Sequence, residues 1–167
     1  VPPEFEEFVV SRGHALLRFA FLLTNDLHLA EDLTQEALVR VHRRWWAIEH
    51  ADGPEPYVRK AIVRQYLSWR RGRASRETAV AELPERPDPD AYLDRLGERD
   101  DMWANLASLP RSQRAVLVLR YYEDLPDAQI AEVLGCSPST VRVHAFKALA
   151  RMREAMASQE TEECRHG

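Results

Sequence analysis

The chain has two cysteines in 167 residues, Cys136 and Cys164, far apart in sequence. They match no zinc-ligand spacing and are too few for a disulfide framework, so a reducing cytoplasm is the expected compartment. Cys136 fits a helix turn and Cys164 a polar tail. No apolar run approaches the roughly 20 residues needed to span a bilayer, so no membrane insertion is expected. The opening Val1-Pro2-Pro3-Glu4-Phe5 does not have a basic segment followed by an apolar one, as a secretory signal would. There is no alternating strand pattern and no internal repeat. Paired carboxylates, metal-ligand spacing, a nucleophile motif and a phosphate-cradling loop are all missing. His14, His28 and His42 are the only loose candidates for a catalytic pocket in the N-terminal half, and no carboxylate pattern accompanies them. No catalysis, metal or cofactor is expected.

What is present concentrates between Leu125 and Arg153, where the pattern is that of a helix-turn-helix. A first helix carries Ile130, Ala131 and Leu134 on one face. Gly135 ends it, at the slot where a tight turn needs positive φ. Ser137 is a suitable N-cap for a second helix, and Pro138 fits its first turn. Val141, Ala145, Ala148, Leu149 and Met152 then recur at helical spacing and are expected inside. Ser139, Arg142, His144, Lys147 and Arg151 occupy the other face. From Ser137 to Arg153 there are four basic residues and no acidic one, as a helix lying against phosphates requires. The small residue Ala131 permits the two helices to cross closely.

The net charge of −4 hides a block structure. Residues 1–36 balance at −5, residues 40–76 at +7 and residues 77–101 at −6. The basic block interleaves Trp45, Trp46, Tyr57, Tyr66 and Trp69 with Arg and Lys. Cations track a nucleic-acid backbone and aromatic rings stack on unpaired bases, so this block suits single-stranded or distorted DNA.

The hydrophobic periodicity predicts an all-α protein of two small domains. Helices are predicted over about Glu4 to Leu23, Leu29 to Ile48 and Tyr57 to Arg71. Asn25-Asp26 is expected to be a turn, and Asp52 to Pro56 a loop. Residues 4–76 form the first domain. Residues 77–97, acidic and carrying Pro84, Pro87 and Pro89, are expected to be an extended linker; the alternative is a loop folded onto one continuous domain. Residues 98–157 form the second domain, with Trp103, Leu106 and Leu109 inside and a helix after Pro110 carrying Val116, Leu117, Leu119 and Tyr121. Residues 158–167 are expected to be a polar, frayed tail.

Four motifs then fall in one order: Ala30-Glu31-Asp32-Leu33-Thr34-Gln35-Glu36-Ala37-Leu38; Tyr57-Val58-Arg59-Lys60 with Leu67-Ser68-Trp69-Arg70-Arg71; Leu109-Pro110-Arg111-Ser112-Gln113-Arg114; and the helix with Thr140-Val141-Arg142. That series resembles the extracytoplasmic-function sigma factors of bacterial RNA polymerase, in particular a short actinobacterial branch with Arg120 to Leu125 reading Arg-Tyr-Tyr-Glu-Asp-Leu. The resemblance covers about residues 4–157.

The resemblance implies a promoter-specificity subunit whose partners are core RNA polymerase and promoter DNA, with room for an anti-sigma protein. It implies that Asp32, Gln35 and Glu36 dock on the clamp helices of the β′ subunit; on the residues alone, helix capping and surface solubility are the favoured reading, and the family context reverses it. It assigns capture and melting of the −10 element to Tyr57, Lys60, Arg64, Trp69, Arg70 and Arg71, with Trp69 alternatively a core anchor. It assigns −35 recognition to Ser139, Thr140, Arg142, His144, Lys147 and Arg151. Arg142 is the first choice for a base, because its fork matches guanine O6 and N7. Lys147 and Arg151 suit phosphate, and His144 either reads a base edge or is solvated. The apolar face of residues 115–122 packs under the helix-turn-helix and meets the β flap, and the acidic linker follows the RNA exit path. Arg64 departs from the family pattern, which has Asn there; a guanidinium cannot accept a hydrogen bond, so an altered −10 preference is expected. Pro126 replaces a frequent serine cap, and the helix is expected to start at Asp127 regardless. A stand-alone regulator of duplex DNA is the rival, but it has little use for the +7 aromatic block.

Overall fold

The computed structural model describes residues 3–48, 53–68 and 105–167, and among these every regular element is helical. The chain divides into two compact units, Val1–Leu96 and Gly97–Gly167. The expected linker over 77–97 and the helix start near Glu98 with Trp103 lie outside the described residues.

In the first unit, α1 (Pro3–Thr24), α2 (Leu27–Arg43) and α4 (Pro54–Ser68) pack on one another. Leu16, Phe19, Ala20 and Leu23 of α1, Leu33, Ala37 and Val41 of α2, and Val58, Ile62 and Val63 of α4 are buried together as the core. Each large aliphatic or aromatic side chain so buried contributes about 1.5–3 kcal/mol. Asn25 takes φ +51, a left-handed conformation that asparagine tolerates better than most residues. Asp26 then caps α2, its Oδ1 accepting from the N–H groups of His28 and Leu29 at 3.0 and 3.2 Å.

Two boundaries in this unit differ from the sequence reading. The predicted helix over 29–48 begins earlier, at Leu27, and breaks at Arg44 before a single turn, α3 (Trp45–Ile48). At the break the buried Trp45 ring packs edge-on to Phe5 and tilted against Phe8, centroids 5.4 and 5.8 Å away. The expected loop over 52–56 is helical from Pro54, since neither Pro54 nor Pro56 needs an N–H in a first turn, where those donors have no intrahelical partner. Arg12 of α1 forms an ion pair with Glu55 there.

In the second unit, a short 3-10 turn (Leu106–Ser108) leads to α5 (Arg111–Leu117), which winds on as a π-helical turn over Val118–Tyr122. Ala115 to Leu119 are buried. The π turn closes through the Glu123 N–H on Val118 O at 3.1 Å, and Asp124 follows at φ +55. Next come α6 (Asp127–Leu134) and α7 (Pro138–His166), and α7 packs on both α5 and α6. The tail expected to fray beyond Ser158 is instead helical to His166. Ser158 and Thr161 donate back to Glu154 O and Ala157 O, and Gln159 Nε2 donates to Asn105 Oδ1 at 3.2 Å.

Candidate nucleic-acid interface

The first unit carries a cleft of about 470 Å³ between the C-terminal end of α2 and one face of α4. Arg40, Arg43 and Arg44 line it from one side, and Tyr57, Lys60, Ala61 and Arg64 from the other. Five of these seven side chains are cations and none is a carboxylate. The Arg44 guanidinium donates to Tyr57 Oη at 3.2 Å, and the Tyr57 ring stays 40% exposed. Arg40 is tethered on the α2 side, its Nη2 donating to Glu36 Oε1 at 3.1 Å. A cleft of this charge that keeps an aromatic ring open is suited to a phosphate backbone with an unstacked base.

Of the −10 candidates, Tyr57, Lys60 and Arg64 therefore share one cleft. Trp69, Arg70 and Arg71 lie outside the described residues. Arg40, Arg43 and Arg44 were counted in the basic block but not singled out as site residues. The signal was there, because positions 40, 43 and 44 have helical spacing and so do 57, 60, 61 and 64. Two matched stripes on packed helices face each other. The aromatic block is split by burial: Trp45 and Tyr66 are in the core, whereas Tyr57 and Trp46 are open to solvent.

The second unit presents the helix-turn-helix. Gly135 adopts φ +70, and the N–H of Cys136 reaches back to Ala131 O at 3.0 Å, which closes the turn. Ala131 and Ile130 are buried against α7, whose Val141, Ala145, Ala148 and Met152 are buried in turn. Ser137 caps α7, its Oγ accepting from the Thr140 N–H at 3.2 Å. The turn before α6 is held by Arg120, whose Nη2 donates to both carboxylate oxygens of Asp127 at 2.8 and 2.9 Å. No local pattern announced that pair; it couples the π turn to the first residue of α6.

The six −35 candidates on α7 separate into two stripes. Ser139 and Arg142 lie on the outermost face, and Arg142 Nη2 donates to Ser139 Oγ at 3.2 Å. Val143 and Phe146 continue that face, 51% and 76% exposed, and were not singled out in the sequence. Thr140, His144, Lys147 and Arg151 form the flanking stripe. Thr140 and His144 are half-buried, and Lys147 and Arg151 are exposed. Thr140 Oγ1 lies 3.0 Å from Ser137 Oγ within the cap, and His144 Nδ1 is buried without a hydrogen-bond partner.

Asp32, Gln35 and Glu36 share one side of α2, with Asp32 and Gln35 exposed and Glu36 half-buried. The neighbouring Glu31 has its carboxyl pushed above the usual glutamate range, first by burial and then by the charge of Asp32. Among the described residues no group of His, Cys, Asp and Glu could hold a metal ion, and no helix is long and apolar enough to cross a membrane.

Comparison with known proteins decides the family. Residues 8–76 match the Sigma-70 region 2 model and residues 99–152 match the Sigma-70, region 4 model. The chain is 37% identical over 157 residues to the RNA polymerase sigma-E factor of Streptomyces coelicolor, covering 94% of this chain and 88% of that protein. The chain belongs to the extracytoplasmic-function sigma factors. It is also 32% identical to the ECF RNA polymerase sigma factor SigE of Mycolicibacterium smegmatis, over 96% of this chain and 64% of that one. Its fold is shared with the sigma factor RpoE of Bartonella quintana, solved in complex with the anti-sigma factor NepR, at a TM-score of 0.70 and 21% identity, covering 93% and 98% of the two chains. As a member of this family it is a DNA-binding factor of promoter recognition and transcription initiation. The cleft falls in region 2 and the helix-turn-helix in region 4 of this sigma factor.

Proposed function

We propose that this sigma factor engages promoter DNA through two chemically distinct surfaces while docked on core RNA polymerase. The observation that carries the reading is the pairing, in one chain, of a cation-lined cleft open to Tyr57 with a capped, exposed recognition helix. The cleft takes the melted non-template strand of the −10 element. Arg40, Arg43, Arg44, Lys60 and Arg64 follow phosphates and Tyr57 stacks on a base. Trp69, Arg70 and Arg71 act on the −10 element by family resemblance. On α7, Arg142 reads a guanine edge, and Val143 and Phe146 offer apolar surface to thymine methyl groups in the −35 element. Lys147 and Arg151 bind the flanking backbone. Thr140 and His144 contribute through the N-cap and the helix packing more than through bases.

Asp32, Gln35 and Glu36 dock on the β′ clamp helices. The second unit reaches the β flap through Tyr121, the exposed side chain of residues 115–122, since Ala115 to Leu119 are buried in the unit itself. Two tethered contacts on one DNA raise the effective concentration of each for its element. Bond formation stays with the polymerase. The factor works where polymerase and promoter meet, in the cytoplasm. An anti-sigma protein is a further partner on this reading, because the sigma factor RpoE, which shares the fold, was captured with the anti-sigma factor NepR.

Reconstituted transcription tests the reading: core RNA polymerase from an actinobacterium on fragmented genomic DNA, with and without the protein, mapping 5′ ends. New starts preceded by two spaced shared elements are expected. No new starts, together with sequence-specific duplex binding by the protein alone, would replace it with a stand-alone regulator.

A further inference from the structure

Two apolar side chains on the outer side of α2 and α3 have no role in the surfaces described above. Trp46 is 63% exposed and Val39 51% exposed. Neither lines the basic cleft. Their place follows from the stripe on the opposite side. Leu33, Ala37, Val41, Trp45 and Ile48 are all buried, at spacings of four, four, four and three. Trp45 and Ile48 stay buried beyond the break, although Arg44 itself is non-helical at φ −117 and ψ 17. The Arg44 N–H bonds Val41 O at 3.0 Å, and the N–H groups of Ala47 and Ile48 bond Arg44 O at 3.0 and 3.1 Å. On α2 the outward side carries Asp32, Gln35 and Val39, at spacings of three and four, then the exposed His42 and Arg43, and the exposed Trp46 follows beyond the break.

We infer that Val39 and Trp46 form the apolar anchor of the surface that docks on core RNA polymerase, continuing the polar contacts of Asp32, Gln35 and Glu36 along the same face. The inference rests on the docking reading given above and names the residues that supply its strength. Interfaces draw most of their affinity from a few buried aromatic anchors ringed by polar contacts, and tryptophan is the most enriched among them. The sequence holds two adjacent tryptophans, and the fold uses only Trp45 for its own core, against Phe5 and Phe8. Trp46 is left as a large ring in water at the end of a stripe that begins with carboxylate and amide groups. Such an anchor requires basic groups on the polymerase facing Asp32 and Glu36 and an apolar pocket beyond them. DNA fits the stripe less well, because the cations that would track its backbone line the cleft instead.

The test is the affinity of the full chain for immobilised core RNA polymerase without DNA. Trp46→Ala is expected to weaken binding by ~30-fold and Val39→Ala by a few-fold, whereas Val10→Ala, at an 81% exposed site on α1, leaves it unchanged. Asp32→Arg checks the docking reading separately. Binding by Trp46→Ala within twofold of the unaltered chain, while Asp32→Arg binds poorly, overturns the apolar anchor and leaves docking intact. Normal binding by both variants overturns docking and anchor together. Normal core binding by Trp46→Ala with slowed promoter opening assigns the ring to DNA and likewise overturns the inference. If Trp46→Ala lowers the unfolding midpoint, Val39→Asp decides. It places a charge in the stripe and leaves Trp46 in place. A loss of tenfold or more in core binding is expected, and no loss refutes the anchor.

Discussion

The two units hold their cations in opposite ways. In the first, five of them converge on a concave cleft with a tyrosine at its edge. In the second, Arg142 stands on a convex helix face beside Val143 and Phe146, and Lys147 and Arg151 flank it. A concave field of one sign attracts any phosphate backbone and discriminates little. A convex stripe mixing one guanidinium with apolar groups fits a groove and discriminates by base edge. On the proposed reading, one unit holds a strand and the other reads a duplex.

The largest effect should come from emptying the cleft. Replacing Arg43, Arg44 and Lys60 by Ala in the holoenzyme should weaken open-complex formation by ~10- to 100-fold and flatten the plot of log affinity against log salt by about 2, since each single-strand phosphate contributes about 0.7. Upstream duplex recognition should persist. An unchanged salt slope would erase the contrast between the units.

Arg142→Ala sharpens the contrast from the other side. It should cost about 1–3 kcal/mol at one base pair of the −35 element and little elsewhere, as read by competition among single-base promoter variants. A uniform loss across all variants would make Arg142 a phosphate contact.

Gly135→Val acts on the scaffold of the reading unit alone. A β-branched side chain at φ +70 is strained by about 1–2 kcal/mol. Hydrogen exchange over α6 and α7 should quicken while α1 and α2 keep their protection. Equal quickening in both units would show that they unfold together.

The smallest effect is at Glu31. Its carboxyl is raised on folding, so the folded state holds its proton to higher pH than the unfolded chain. Stability is therefore lost as pH rises through the glutamate range, and the loss is complete above it. Glu31→Gln should remove this slope and raise stability at neutral pH, within about 0.5 kcal/mol, in unfolding titrations across that range.

The parts legible in the sequence were those fixed by local chemistry. Gly135, Ser137 and Pro138 announced the turn and cap because each answers a backbone requirement at its own position. The core stripes of α1, α2 and α7 were legible from period alone. What escaped depends on the third dimension. Nothing near Arg120 points to Asp127, and their ion pair exists because the π turn brings the two together. The break at Arg44 has no Gly or Pro to mark it. Trp45 and Trp46 look alike in sequence, and only packing against Phe5 and Phe8 tells the core ring from the exposed one. The cleft was half legible: its α4 side was named, and its α2 side was counted as charge without being placed.

Permanganate footprinting of the holoenzyme on a promoter found by reconstituted transcription tests the division of labour most directly. Permanganate-reactive thymines report melting, and DNase I protection upstream on the same complex reports duplex recognition. The cleft variant with Arg43, Arg44 and Lys60 replaced by Ala is predicted to keep the upstream protection and lose the reactive thymines. Full thymine reactivity in that variant would contradict the assignment of the cleft to the melted strand.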